Sequence, residues 1–168
     1  PSSWFQSINP LVIVALAPVF AALWTRLDQS RYRMAAAMKQ ALGMVVLGLG
    51  FVVMAMAQSM ADSGIKVGMH WLAIVFFIHT LGELMLSPVG LSMVSRVATA
   101  KLVSLLMGVW FLANFVANLL AGYLTAYSDQ IAQTGFVLEG LAGFFLLFVL
   151  APIGAGLVLL VISPILTR

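Results

Sequence analysis

Five runs of apolar residues, each about as long as a bilayer's hydrocarbon is thick, follow one another with little between them. They cover roughly Ser3–Trp24, Gln40–Gln58, His70–Val97, Leu102–Tyr123 and Phe136–Val161. A helix rises about 1.5 Å per residue, so about 20 apolar residues cross the membrane core. Backbone groups in lipid must bond internally, which leaves only helices or closed barrels. These runs lack the two-residue alternation of barrel strands, so the sequence predicts an all-α, polytopic transmembrane helical bundle. Composition agrees: with 63% hydrophobic and 8% charged residues, 168 residues would leave a water-soluble domain too little polar surface. Long polar linkers and low-complexity tracts are absent, and the chain reads as one membrane domain over 1–168.

The connections carry nearly all the charge. Arg26, Arg31, Arg33 and Lys39 flank the first, Arg96 and Lys101 the third, and Arg168 follows the last run. If the spans alternate, these fall on one side, and the opposite side receives only Lys66. By the positive-inside rule the Arg-rich side and the C-terminus are cytoplasmic, which places Pro1 outside. That orientation suits the tail of a longer polytopic chain, and preceding spans are expected. Nothing reads as a nucleic-acid surface. The absence of cysteine excludes disulfides, thiolate catalysis and Cys-ligated metals. His79 and Glu83 stand at an i, i+4 spacing, but no further histidine or carboxylate completes a ligand set, so neither metal nor cofactor is expected. No nucleophile–base pair suggests an enzyme.

The third run is the one to interrogate. Glu83 has no charged neighbour for a dozen residues on either side and falls near the membrane midplane. An acidic group at that depth costs several kcal/mol unless it faces protein or a water-filled cavity, which makes it a candidate site. His79, Glu83 and Ser87 recur every four residues and share a helix face, with Thr80 and Gly90 near the same stripe. Pro88 is expected to interrupt the helix just beyond them and to leave a flexible point. His79 either packs as a donor inside the bundle or joins the site.

Other runs add less. Asn9, beside Pro10 in the first, either lines a cavity or bonds two helices together. The second spaces Gly43, Gly48 and Gly50 with no ionisable group between Lys39 and Asp62, a packing helix for which a peripheral position is open. In the fourth, Trp110, Asn114 and Asn118 recur every four residues; Trp110 lies about 12 Å into the helix, too deep for an interfacial belt. It either packs in the bundle core or lines a cavity.

The blocks Phe5-Gln6-Ser7-Ile8-Asn9-Pro10, Gly82-Glu83-Leu84-Met85-Leu86-Ser87-Pro88-Val89-Gly90-Leu91-Ser92 and Met107-Gly108-Val109-Trp110-Phe111-Leu112 together resemble the C-terminal half of proton-dependent oligopeptide transporters. These form the peptide branch of the major facilitator superfamily. The resemblance implies that the five spans are helices eight to twelve of a twelve-helix, proton-coupled symporter that imports di- and tripeptides by alternating access. Such a protein lies in the plasma membrane, or the inner membrane of a bacterium. Glu83 then looks like the carboxylate that holds a peptide's amino terminus, with Asn9 and Ser87 as polar groups of the same cavity. Trp110 resembles the aromatic residue of a side-chain pocket, Phe111 its neighbour, and Pro88 and Gly90, with the hairpin that follows, a cytoplasmic gate. The partners implied are peptides, protons, the lipid bilayer and the N-terminal helices of the same transporter, which carry the basic wall and the proton-coupling acidic motif. Two rivals remain open: a related carrier for nitrate or another small solute, and a non-transporting helical subunit of a membrane complex.

Overall fold

The computed structural model describes residues 3–29, 34–97, 101–133 and 140–166, with side chains at 7, 9–29, 34–92, 101–133 and 140–163. The elements are α1 (Ser3–Gln29), α2 (Ala36–Asp62), α3 (Met69–Val97), α4 (Val103–Ala126), α5 (Ser128–Gln133) and α6 (Leu141–Leu166). All but α5 are long and apolar enough to cross a membrane. The described residues contain no strand, and the chain is a multi-pass helical membrane protein. Short α5, Ser-Asp-Gln-Ile-Ala-Gln, has no counterpart in the sequence reading because so few apolar residues establish no period. Arg31, Arg33 and Arg168, the side chain of Arg96, residues 98–100 after α3 and residues 134–139, where the fifth run begins, lie outside the described residues.

The helix without chemistry proves to be the centre. α2 packs against both α6 and α3; α1 rests on α3, and α4 touches α3 and α5 only lightly. A peripheral α2 is therefore excluded, and its small residues explain why. Lipid tails are as apolar as leucine, so helices associate through close fit rather than through escape from water. Ala41, Gly43, Gly48, Gly50, Ala55 and Ala57 are buried along α2. A Cβ at Gly43 would stand 2.8 Å from Leu86 Cγ and 3.2 Å from the Gly82 carbonyl, which shows how near the α3 backbone comes. At Gly48 it would collide with Ile153 of α6. On α3, Val75, Gly82 and Val89 are buried at seven-residue intervals. One stripe of α3 thus packs, while Glu83 and Ser87 stay exposed beside it.

Two local expectations change. α3 runs without a break through Pro88, as α1 does through Pro10 and Pro18, so the interruption expected at Pro88 is absent. Membrane helices accept an internal proline when surrounding groups satisfy the freed carbonyl. The end of α2 follows the usual rule: Gly64 takes φ +80° and its N–H donates to the Ala61 carbonyl at 2.9 Å, a turn that needs a residue without a Cβ.

A polar clip joins the far end of α1 to the start of α2. Lys39 is only 7% exposed. Its Nζ donates to Asp28 Oδ1 at 2.6 Å and lies 5.0 Å from the centre of the Trp24 ring. The aliphatic stem is buried and the charge is met by a carboxylate and an aromatic face.

Candidate functional site

Glu83 stands at the middle of α3, where the pattern of charge places the bilayer centre. Across from it, α1 brings Asn9, whose Nδ2 donates to Glu83 Oε2 at 3.1 Å. Among the described residues no lysine or arginine pairs with Glu83; the ion pair present is Lys39–Asp28. The carboxylate is thus capped by a neutral amide and retains acceptor capacity.

The two residues open into a pocket of about 370 Å³ lined by Asn9, Leu47, Phe76, His79, Glu83, Leu86 and Ser87. Its walls are apolar, with a few converging polar groups, the usual composition of a small-ligand site. The i, i+4 stripe accounts for the geometry: His79, Glu83 and Ser87 project from successive turns of α3, and α1 and α2 close the sides. Of the residues expected from sequence, Asn9, Glu83 and Ser87 are brought together here.

Trp110, Phe111, Pro88 and Gly90 are not among the lining residues of this pocket. Trp110 instead lies across α3: a Cβ on Gly90 would collide with its ring, and would stand 3.1 Å from Gln40 Nε2. Gly90 is therefore the seat on which α4 meets α3. Phe111 is 67% exposed. Asn114 and Asn118 donate to the carbonyls four residues back, Trp110 O at 2.9 Å and Asn114 O at 2.8 Å. That local bonding satisfies amides which the sequence pattern alone leaves open.

His79 combines ring packing with a place in the pocket wall. It lines the pocket, and its ring packs 4.5 Å from that of Phe51, which stacks in turn on Phe148 of α6 at 5.3 Å. Its Nε2 is buried without a hydrogen-bond partner. No Cβ fits at Gly50, because the His79 ring occupies that space.

Thr80 is the residue that sequence reasoning underweighted. It is 1% exposed, and its Oγ1 lies 2.9 Å from Asn9 Oδ1 and 2.7 Å from the Phe76 carbonyl. Its place near the stripe of His79, Glu83 and Ser87 was the signal available, and the partner on α1, 71 residues away, was not legible. No group of three or more His, Cys, Asp or Glu among the described residues could hold a metal.

Comparison with known proteins agrees in direction. The profile of the POT family matches residues 1–141. The chain is 36% identical over 99% of its length to an uncharacterized transporter, YclF, of Bacillus subtilis, covering 32% of that protein. It is 32% identical over 98% of its length to dipeptide and tripeptide permease B of Salmonella typhimurium, covering 34% of it. A crystal structure of a POT family transporter in complex with a thioalcohol-conjugated peptide superposes with a TM-score of 0.83 at 27% identity, over 97% of this chain and 31% of that one. The chain spans about a third of the length of the curated relatives it matches.

Proposed function

The chain belongs to the POT family, and from that premise we propose that it supplies the C-terminal half of the substrate cavity in a proton-coupled symporter importing di- and tripeptides by alternating access. The observation that carries this reading is Glu83: a carboxylate at mid-helix, capped by an amide, unpaired with any cation among the described residues and open to a pocket. In a medium of low dielectric such a group attracts a cation strongly, and a peptide's ammonium is a cation that can also donate hydrogen bonds. In this reading Glu83 binds the amino terminus, Asn9 and Ser87 hold polar backbone groups nearby, and a proton on Glu83 weakens the attraction.

Trp110 and Phe111 belong to a second wall that closes on the peptide side chain. Trp110 on Gly90, next to Pro88, forms a gating contact between α3 and α4. The basic wall for the peptide carboxylate and the proton-coupling groups come from N-terminal helices of the same transporter, and the two bundles rock about a site at their interface near the midplane. The protein acts in transport and not in catalysis. It sits in the plasma membrane, or a bacterial inner membrane, with its C-terminus in the cytoplasm. The di- and tripeptide permease among the relatives favours peptides over nitrate or another small solute.

Proton-driven dipeptide uptake by the complete transporter in vesicles tests the assignment. Glu83→Gln and Glu83→Ala should each lower uptake by about tenfold or more, the range expected when a hydrogen bond to a charged group is lost. Near-normal uptake by either would remove Glu83 from substrate binding. Unlabelled tripeptide should compete with labelled dipeptide, and nitrate should not.

A further inference from the structure

The hydroxyl proton of Thr80 has two places to go. Its hydroxyl lies within bonding distance of two oxygens, Asn9 Oδ1 at 2.9 Å and the Phe76 carbonyl at 2.7 Å. A hydroxyl carries one proton, so it donates to one of them at a time. At 1% exposure no bulk water reaches the group to compensate. With the Asn9 NH2 turned toward Glu83, Thr80 must choose between the amide oxygen and the carbonyl.

Turning the amide by half a turn gives a second arrangement. Asn9 Nδ2 then donates to Thr80 Oγ1, and Thr80 donates to the Phe76 carbonyl. The amide oxygen now faces Glu83 Oε2, an arrangement of two acceptors unless the carboxyl carries a proton and donates it. The three contacts therefore admit two bonding patterns. In one, ionised Glu83 accepts from Asn9 Nδ2, and Thr80 donates to Asn9 Oδ1, the Phe76 carbonyl keeping its helical N–H donor. In the other, Glu83 is neutral, protonated by hydronium from the solution that reaches the cavity, and donates to Asn9 Oδ1, so that the chain of donors runs through Asn9 and Thr80 to the Phe76 carbonyl.

We propose that Thr80 is a positioning residue that couples the orientation of the Asn9 amide to the charge on Glu83, so that α1 presents a different polar face to the substrate in each state. The proposal rests on the reading of Glu83 and Asn9 as substrate-binding groups. Its geometric basis is the burial of Thr80 and the three short contacts in series. Few other titratable groups bear on the site. α1, packed on α3, places its described charges, Arg26 and Asp28, near its opposite end. α2 contributes Leu47 to the pocket and holds its charges, Lys39 and Asp62, at its two ends. α4 offers only Tyr123, near its C-terminal end. On α3 itself, His79 is the other titratable side chain lining the pocket, with its ring held against Phe51.

The test compares Thr80→Val, which keeps shape and removes the hydroxyl, with Thr80→Ser, which keeps the hydroxyl, in the complete transporter. Dipeptide uptake is measured as KM and Vmax across pH, with Glu83→Gln in parallel. Thr80→Val should raise KM about five- to tenfold, the loss of one buried hydrogen bond, and displace the pH profile of KM, while Thr80→Ser stays near wild type. The displacement should persist when both proteins also carry His79→Gln, which separates it from titration of the imidazole. A Thr80→Val protein with wild-type KM and pH profile overturns the proposal, as does a Thr80→Ser protein that behaves like Thr80→Val. If Glu83→Gln is also near normal, the underlying functional reading has failed; if Glu83→Gln is inactive, only the role of Thr80 has. Should Thr80→Val not accumulate, pH-difference infrared spectra of the wild-type transporter decide the matter. A side-chain amide band that moves together with a titrating carboxyl band, and is lost in Glu83→Gln, is expected. A titrating Glu83 carboxyl with no amide change overturns the coupling.

Discussion

At the scale of single residues, the fit of rings over glycines is as exacting as the polar site. The His79 ring occupies the space where a Gly50 side chain would lie, and it packs 4.5 Å from the ring of Phe51. Gly50→Ala should therefore destabilise the complete transporter by about 1–3 kcal/mol, the usual cost of overpacking. His79→Ala in the same protein should restore part of that loss, because the colliding atoms are gone. Thermal unfolding in detergent of both single variants and the double variant measures the coupling; strictly additive losses would show that the two residues do not compete for space. The contrast with Glu83 is instructive about what a sequence discloses. A lone carboxylate in an apolar run is conspicuous, and the four-residue spacing to His79 and Ser87 places all three on one face. Gly50 and Gly90 carry no such mark, because what makes them necessary is a ring from another helix.

At the scale of elements, the five long apolar helices were legible from run length, since the bilayer fixes how long each must be. Which of them is central was not. A helix rich in small residues and poor in charge reads equally as core or rim, and only the partners of Gly43 and Gly48 decide for α2. The clip between α1 and α2 was equally hidden, because Lys39 reads as one more connection charge and nothing in the sequence pairs it with Asp28. Lys39 is 7% exposed, so its charge depends on Asp28. Asp28→Asn should lower stability by about 1–3 kcal/mol, below the full cost of orphaning a buried charge because the Asp28 side chain is 52% exposed. Lys39→Met, which leaves an apolar stem on Trp24, should be close to neutral. Equal losses in thermal unfolding for the two variants would mean that the pair, and not the burial of one partner, sets the energy.

At the scale of the molecule, α2, α3 and α6 form a close-packed frame, and α1 is attached to it differently. None of the described side chains of α1 is buried. It is fastened instead by Asn9 to Glu83 and Thr80 near one end and by Asp28 to Lys39 near the other. In mechanical terms α1 is a beam lying on α3, and two of its fastenings to the stiffer support, near its two ends, are made of polar groups. A cation entering beside Glu83, or a change of charge at Asp28, would therefore act directly on the hold that the support has on α1. Replacing both carboxylates, Glu83→Ala with Asp28→Ala, should speed amide hydrogen exchange in α1 more than in α6, which holds neither partner; unchanged exchange in α1 would show that its contact with α3 suffices without these bonds.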